Sequence, residues 1–201
     1  MTTRLLLICH AFTPAMAAAS FPEDEPVEGR GLRDEEAGAA REAGAEREAG
    51  AEREAGAARM DGLALRGPEL RCGQTAEALG LAPEPVPQLR DCDFGAWRGR
   101  TLADVQAADP EGVSRWLADP SAAPHGGESV ADVIDRVAGW LTGLPPGRVV
   151  AVTHPSVIRA VIVHALGTPP GAFWRIDVEP LSRSELTGRS GRWNLRLGAG
   201  A

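Results

Sequence analysis

Two histidines stand directly behind apolar segments of the chain. His10 follows Thr3–Cys9 and His154 follows Arg148–Thr153, and both segments are short and apolar enough to form buried β-strands. Ligands bind beyond the carboxyl ends of the strands in parallel sheets. The two histidines therefore predict a paired site at one edge of a sheet. Because His154 also precedes a helix, the partial positive charge of the helix N-terminus predicts a lowered pKa and a neutral ring.

An arginine and an aspartate complete a set of residue types that can transfer a phosphoryl group. Arg71 lies one turn inside a helix that opens at Gly67-Pro68, and Asp91 lies in a loop before a glycine turn. A histidine can attack phosphorus, the planar guanidinium of arginine can hold phosphate oxygens, and a carboxylic acid can protonate the leaving oxygen. We therefore take His10 as the candidate nucleophile, with Arg71, Asp91 and His154 as its partners.

The elements that must position these residues alternate between strands and helices. Such alternation is typical of an α/β fold and predicts a three-layer αβα sandwich with a mostly parallel central sheet. Predicted strands lie at 3–9, 62–66, 148–153, 176–178, 185–187 and 193–197, the last two forming a hairpin. Predicted helices lie at about 68–80, 101–108, 110–118, 127–144 and 155–166.

A low-complexity segment interrupts this alternation. Three copies of the hexapeptide Arg-Glu-Ala-Gly-Ala-(Glu/Ala) occupy residues 41–58. In a helix, successive copies are rotated by about a third of a turn, so that no continuous apolar face forms. Each glycine also costs a helix roughly 1 kcal/mol. We expect residues 1–201 to form a single domain that carries this solvated, marginally helical insertion at about 34–59.

The composition favours a globular protein and argues against a nucleic-acid partner. The chain has 201 residues, of which 43% are hydrophobic, and a net charge of -7, whereas nucleic-acid phosphates bind to basic surfaces. No segment has the roughly 18 apolar residues of a membrane span, and the apolar run near the N-terminus is shorter than that of a secretion signal. We therefore expect a cytoplasmic protein that binds neither nucleic acid nor membrane.

The three cysteines, Cys9, Cys72 and Cys92, all lie near the predicted site. Their odd number and the lack of a Cys-x-x-Cys motif argue against a disulfide framework and fit a reducing cytoplasm. A metal- or thiol-based module that uses these cysteines is one alternative function. However, no pair of them has the spacing of a zinc finger. We therefore expect no metal and no cofactor.

Six short motifs resemble, in the same order, those of the histidine phosphatase (phosphoglycerate mutase-like) superfamily. Residues 8–13, Ile-Cys-His-Ala-Phe-Thr, resemble its Arg-His-Gly-x-Thr signature. Residues 67–76 are similar to its Ser-x-Leu-x-Arg-Ala-x-Gln-Thr-Ala helix, and residues 89–99 to its Leu-x-Glu-x-x-Phe-Gly-x-Trp-Glu-Gly loop. The other three motifs are Pro-Leu-Thr-Glu-Arg-Gly, Gly-Gly-Glu-Ser and Val-Ser-His-Gly-Gly-Val-Ile-Arg, which residues 26–31, 126–129 and 152–159 resemble.

The resemblance implies a role for each matching residue. His10 would be the phosphorylated nucleophile, and Asp91 would stand where the family places its acid, which is usually glutamate. The residues that would contact the substrate are Arg71, His154, Thr13, Cys9 and Glu128. The implied activity is hydrolysis of a small phosphate ester through a phosphohistidine intermediate, without a metal. The resemblance leaves open whether the protein is a homodimer.

Three departures from the family pattern fall at the predicted site. Cys9 stands in place of the first phosphate-binding arginine, and loss of a bidentate charged contact could cost roughly 2–5 kcal/mol. Ala11 replaces a glycine, and Pro155 has no N–H to offer a phosphate oxygen. These departures keep an alternative open, namely a catalytically impaired relative that binds a phosphorylated ligand or a protein partner.

Overall fold

The strand that precedes His10 lies inside a six-stranded sheet. The computed structural model describes residues 1–29 and 62–197, and the predicted insertion at about 34–59 lies outside them. The order of the strands across the sheet is β3-β2-β4-β1-β5-β6. Their bounds are Thr3–Cys9 (β1), Leu63–Arg66 (β2), Glu84–Pro85 (β3), Gly147–Thr153 (β4), Arg183–Arg189 (β5) and Arg192–Arg196 (β6).

The pairing of β1 with β4 fixes the site edge of the sheet. The two strands run parallel and in register, with Thr3 opposite Gly147 and Cys9 opposite Thr153. Both strands therefore end at the same level. β2 and β3 extend the parallel part on the far side of β4, whereas β5 and β6 add an antiparallel hairpin beside β1. The sheet is mixed but mostly parallel, as the sequence predicts.

Most of the helices begin and end within a few residues of the sequence predictions. Ser129 caps α5 through a capping box, Pro155 opens α6, and Gly167 ends α6 with a φ of 60°. None of the described helices is long and apolar enough to cross a membrane. The helices span Pro14–Ala17 (α1), Leu70–Ala78 (α2), Leu102–Ala108 (α3), Pro110–Ala118 (α4), Val130–Thr142 (α5) and Pro155–Leu166 (α6).

The two faces of the sheet carry separate apolar clusters. Successive side chains of a strand point to opposite faces. Leu5 and Leu7 of β1 therefore pack with the buried residues of α5 and α6, while Ile8 packs with Cys72 and Ala76 of α2 on the other face. Helices thus cover both faces of the sheet. This arrangement confirms the predicted three-layer αβα sandwich.

Two short segments differ from the sequence predictions. The predicted strand at 176–178 is wrong, because this segment has no partner strand among the described residues. Ile176 and Val178 instead pack against the larger apolar cluster, so that their alternation reflects burial rather than pairing. Conversely, β3 lies in a proline-containing segment that predicted only a linker, and its position at the sheet edge tolerates Pro85.

Replacement of Ile158 with alanine tests how strongly α6 is anchored to the sheet. Ile158 is fully buried in the larger cluster. We expect Ile158→Ala to lower the free energy of unfolding by about 2–5 kcal/mol, because the substitution removes buried apolar atoms and leaves a cavity. Leu166→Ala at the end of the same helix serves as the control, since Leu166 is 52% exposed. Equal losses in urea denaturation of the two variants would contradict this packing.

Candidate active site

The register of β1 and β4 brings His10 and His154 together. The backbone N–H of His10 donates to the carbonyl of Thr153 across 2.9 Å, which continues the parallel ladder for one residue beyond the strands. The two imidazole rings meet edge to face with their centroids 5.2 Å apart. Both side chains are buried. The two histidines predicted to form a pair therefore lie in contact.

His10 is held as a neutral ring with a defined tautomer. Its Nδ1 lies 2.7 Å from the carbonyl oxygen of Ala11, and that contact requires a proton on Nδ1. The N–H of Ala11 is in turn bound by Thr75 Oγ1 at 2.9 Å, which fixes the turn. Burial, followed by the nearby His154, lowers the pKa of His10 to about 4. Nε2 therefore keeps its lone pair at neutral pH, as a nucleophile requires.

Arg71 is buried and bonded by protein groups on every side. Nη2 donates to Asp91 Oδ2 across 2.7 Å, and Nη1 donates to the carbonyl oxygen of Glu23 across 2.7 Å. Glu25 Oε2 lies 3.8 Å from Nη1. Burial lowers the pKa of Arg71, but the charges of Asp91 and Glu25 raise it above its ordinary value. The guanidinium is thus a fixed positive charge beside the two histidines.

Asp91 is an ionised carboxylate in the unliganded site. Its Oδ2 accepts from Arg71, while Oδ1 accepts from the Ser156 hydroxyl at 2.5 Å and from the Cys92 N–H at 2.8 Å. Burial raises the pKa of Asp91, but His154, Arg71 and the Ser156 hydrogen bond together hold it well below the usual range of a carboxyl group. Asp91 therefore carries no proton until its surroundings change.

The pKa of His154 is raised, contrary to the prediction from its place at a helix N-terminus. Burial lowers its pKa, but Cys72, Asp91 and the hydrogen bond to Glu69 outweigh burial and raise the pKa to about 10. These groups lie closer to the ring than the helix dipole does, and they include full charges. Nδ1 accepts a hydrogen bond from Arg71 Nε across 3.3 Å and lies 3.4 Å from Asp91 Oδ2, so that a second proton on the ring would have to break the bond with Arg71.

A cavity of about 150 Å³ opens onto this cluster. His10, Arg71 and Asp91 line it, together with Thr13, Ser156 and Arg159. The Nε of Arg159 donates to the carbonyl oxygen of Ile176 across 2.7 Å, which holds the guanidinium against the cavity wall. A larger cavity of about 230 Å³ involves Arg4 and Arg148, at the opposite ends of β1 and β4, and no histidine lines it. The smaller cavity is therefore the candidate active site.

The structure places two predicted contact residues away from this cavity. Cys9 is fully buried in the larger apolar cluster. Glu128 accepts hydrogen bonds from Arg136 of α5 and from Arg90 at 2.6–3.0 Å, so that it links α5 to the loop after the short 3-10 helix at residues 87–89. Neither residue lines the cavity. Their predicted contacts with the substrate stay untested.

Thr13 and Glu69 differ in how well the sequence anticipates them. Thr13 lies at the cavity as predicted, and its Oγ1 accepts from Met16 N to cap α1. Glu69 was not anticipated, although a charged residue at a leucine position of the family motif was a usable signal. Its Oε2 lies 2.7 Å from His154 Nε2.

Cys72 also contacts His154, which bears on the metal alternative. Cys72 Sγ lies 3.3 Å from His154 Nε2, and a ligand atom from each of Glu69, Cys72 and His154 falls within one 4.8 Å cluster. Carboxylate, thiolate and imidazole are all ligands that zinc accepts. However, the carboxylate and the imidazole are already joined by a short hydrogen bond. Cys9 and Cys92 do not belong to this cluster.

The fold and the cluster define an α/β protein with two histidines at the edge of its sheet, and the comparisons with known proteins identify its family. Residues 6–199 match the histidine phosphatase superfamily (branch 1), and the chain belongs to this family. A glucosyl-3-phosphoglycerate phosphatase of Mycolicibacterium vanbaalenii is 35% identical over an alignment of 156 positions, gaps included, that covers 62% of this chain and 69% of that protein.

Two further comparisons concern mycobacterial proteins. A bifunctional protein of Mycobacterium tuberculosis is 36% identical over 113 residues, which are 54% of this chain and 31% of that protein. The chain thus spans about a third of the length of that relative. The solved structure of a mycobacterial glucosyl-3-phosphoglycerate phosphatase complexed with VO3 superposes with a TM-score of 0.77 at 26% identity, over 98% of this chain and 99% of that chain.

Substitution of Asp91 with asparagine tests the buried ion pair with Arg71. We expect Asp91→Asn to lower the free energy of unfolding by about 3–5 kcal/mol, because Arg71 would keep a buried charge without its closest partner. Asp135→Asn on the exposed side of α5 is the control and should change stability by less than about 0.5 kcal/mol. A loss below about 1 kcal/mol for Asp91→Asn in urea denaturation would show that other groups neutralise Arg71.

Proposed function

We propose that this chain is a phosphomonoesterase that hydrolyses a small phosphate ester through a phosphohistidine on His10. The observation that carries the proposal is the state of His10. The ring is neutral, its Nδ1 is bound to Ala11, and the residue lines a cavity beside the charged Arg71. This arrangement leaves Nε2 as the available nucleophilic nitrogen. Membership of the family supports the same chemistry.

In the first step, Nε2 of His10 attacks phosphorus and the bond to the ester oxygen breaks. Arg71 and His154 would hold the oxygens on which negative charge accumulates. In the second step, a water molecule attacks phosphorus, the N–P bond breaks and inorganic phosphate leaves. His10 returns to its neutral form, and the contact with Ala11 keeps its tautomer throughout.

Asp91 would move the protons in both steps. It is ionised at rest, so that the leaving oxygen needs a proton from elsewhere. The monoanionic form of a phosphate ester, whose second pKa is about 6, can bring that proton into the site. Negative charge on the substrate also draws Arg71 away from Asp91 and raises the affinity of the carboxylate for a proton. Asp91 would pass this proton to the leaving oxygen, accept one from the attacking water and return that proton to the phosphate before it leaves, so that the carboxylate is ionised again.

Arg159 would supply a second guanidinium in a site that lacks arginine at position 9. It lines the cavity with His10 and Arg71, and only its Nε is hydrogen-bonded within the part of the chain that the structure describes. Its Nη1 and Nη2 groups could therefore turn to a phosphate oxygen. The alignment of Cys9-His10-Ala11 with the Arg-His-Gly signature stays part of this proposal.

The cavity favours a small substrate. Its volume of about 150 Å³ accommodates a phosphoryl group and the first atoms of the attached alcohol. The related phosphatase acts, by its name, on glucosyl-3-phosphoglycerate. We therefore include sugar phosphates and nucleotide-like fragments in the substrate class. We further propose that residues 1–201 form a single domain and that the protein acts in the cytoplasm.

The alternative function is a relative that binds a phosphorylated ligand without turnover. One observation favours it: the donors of Arg71 already contact Asp91, the backbone of Glu23 and the ring of His154. A substrate must displace some of these contacts before Arg71 can hold phosphate.

Replacement of His10 with alanine tests the proposed function. We expect wild-type protein to release phosphate from at least one ester in a screen of small phosphate esters. His10→Ala should lose more than about 1000-fold in kcat on that ester, because no other side chain would form the covalent intermediate. Circular dichroism and a melting curve confirm folding. Wild-type turnover by His10→Ala would exclude His10 as the nucleophile, and binding without turnover by wild type would support the alternative.

Introduction of arginine at position 9 tests whether this position marks a missing phosphate contact. We expect Cys9→Arg to tighten vanadate binding and to raise kcat/KM, because arginine adds a charged, two-pronged donor beside His10. Cys9 is fully buried, so the larger side chain should also cost about 1–3 kcal/mol of stability. Cys9→Ser is the matched control for loss of the thiol. Weaker vanadate binding by a folded Cys9→Arg protein would contradict the expectation.

A further inference from the structure

Side chains of two other kinds converge on one ring nitrogen of His154. Glu69 Oε2 lies 2.7 Å and Cys72 Sγ lies 3.3 Å from His154 Nε2, and the three ligand atoms lie within 4.8 Å of one another. Cys72 and His154 are completely buried, whereas the side chain of Glu69 is 18% exposed. None of the three residues lines the cavity that holds His10. The cluster is therefore separate from the candidate active site.

A single proton cannot satisfy these three atoms. An imidazole whose Nδ1 accepts from Arg71 Nε carries its proton on Nε2, where it can be donated to Glu69 Oε2. The Cys72 sulfur then faces an N–H that is already donated, and its own proton finds no lone pair on that nitrogen. A cation placed between the three atoms contacts all of them at once. A carboxylate and a thiolate also carry two negative charges, which a divalent ion neutralises.

The spacing of the three atoms fits a zinc ion. Bonds of about 2.0–2.3 Å from zinc to nitrogen, oxygen and sulfur place the ligand atoms of a tetrahedral site about 3.3–3.7 Å apart. The sulfur and the ring nitrogen already have this separation, so only the carboxylate oxygen has to move outward. Glu69 can move because it is the partly exposed member of the cluster. Zinc accepts thiolate and imidazole ligands, whereas magnesium and calcium favour oxygen.

Neighbouring groups orient the ligands and leave one side of the cluster open. Glu69 Oε1 accepts from the backbone N–H of Asp91 across 3.0 Å, which leaves Oε2 for the ion. On the other side of the ring, His154 Nδ1 lies 3.4 Å from Asp91 Oδ2, and a carboxylate is a common partner of a histidine that binds zinc. A Cβ atom at Gly67 would lie 2.8 Å from His154 Nε2, so the glycine leaves room for water as a fourth ligand.

We propose that Glu69, Cys72 and His154 bind one zinc ion through one atom each. The Cys72 thiol loses its proton to solvent as the zinc–sulfur bond forms. The ring proton moves from Nε2 to Nδ1, where it breaks the hydrogen bond with Arg71 and is donated to Asp91 Oδ2. The proposal goes beyond the phosphatase reaction and does not depend on it. It differs from the sequence-based expectation of no metal, which rested on the spacing between cysteines, because this site uses only one cysteine.

The test measures metal binding by the full chain. Wild-type protein is kept reduced, freed of metal with a chelator, and titrated with zinc in competition with a chromophoric chelator. A parallel titration uses cobalt(II), because a thiolate bound to cobalt gives a charge-transfer absorption in the near ultraviolet. Cys72→Ala and Glu69→Gln each remove one ligand. The matched controls are Cys92→Ala, at a buried cysteine outside the cluster, and Glu77→Gln, at an exposed glutamate of α2.

We expect wild type and both control variants to bind one zinc ion and to show the thiolate absorption with cobalt. Cys72→Ala should lose this absorption and at least about 100-fold in zinc affinity, since loss of a partner outside the ligand set alone costs about 10–100-fold. Glu69→Gln should lose at least about tenfold in zinc affinity and keep the absorption, because the thiolate remains.

Two results would overturn the proposal. The first is absence of zinc binding, or a zinc affinity that is equal in wild type, Cys72→Ala and Glu69→Gln, since the ion would then bind elsewhere on the protein. The second is cobalt binding without the thiolate absorption, and this measurement needs only wild-type protein if a variant does not fold. Zinc binding as expected, without turnover of any phosphate ester, would count against the proposed function alone.

Discussion

Two buried histidines in contact cannot both carry a charge, and this constraint organises the site. β1 and β4 end at the same level because they pair in register, so His10 and His154 meet with ring centroids 5.2 Å apart. The two rings have different hydrogen-bond partners, and their pKa values therefore shift in opposite directions. His10 contacts a backbone carbonyl and burial lowers its pKa, whereas Cys72, Asp91 and Glu69 raise the pKa of His154. One ring can therefore act as a nucleophile while the other stabilises negative charge.

The remaining polar groups of the site hold one another in place through hydrogen bonds. Arg71 is fixed by Asp91, and Asp91 is fixed in turn by the Ser156 hydroxyl at the first turn of α6. These bonds prearrange the charges, so that little reorganisation is needed when a phosphoryl group enters. The same bonds must partly open for Arg71 to contact a substrate. The site can bind phosphate tightly only if the hydrogen bonds that form with phosphate replace those that Arg71 loses to Asp91.

The sequence was sufficient to predict the fold class and to anticipate that His10, Arg71, Asp91 and His154 lie together. Apolar runs and capping residues located β1, β4 and α6, because these elements are buried and strongly patterned. The strand predicted at 176–178 failed because an apolar alternation can also arise from packing without pairing. The raised pKa of His154 was missed for a different reason. It depends on Cys72, Asp91 and Glu69. Cys72 and Glu69 lie 82 and 85 positions away in the sequence, and no local pattern reports contacts across such separations.

The central claim is that His10 becomes covalently phosphorylated during turnover, and rapid-quench mass spectrometry tests it most directly. Wild-type protein is mixed with a rapidly hydrolysed phosphate ester, quenched under alkaline conditions that preserve phosphohistidine, and digested for peptide analysis. The account predicts one acid-labile phosphate on His10 that forms and decays at the rate of turnover. Phosphate release without any phosphorylated histidine, or with the phosphate on another residue, would contradict it.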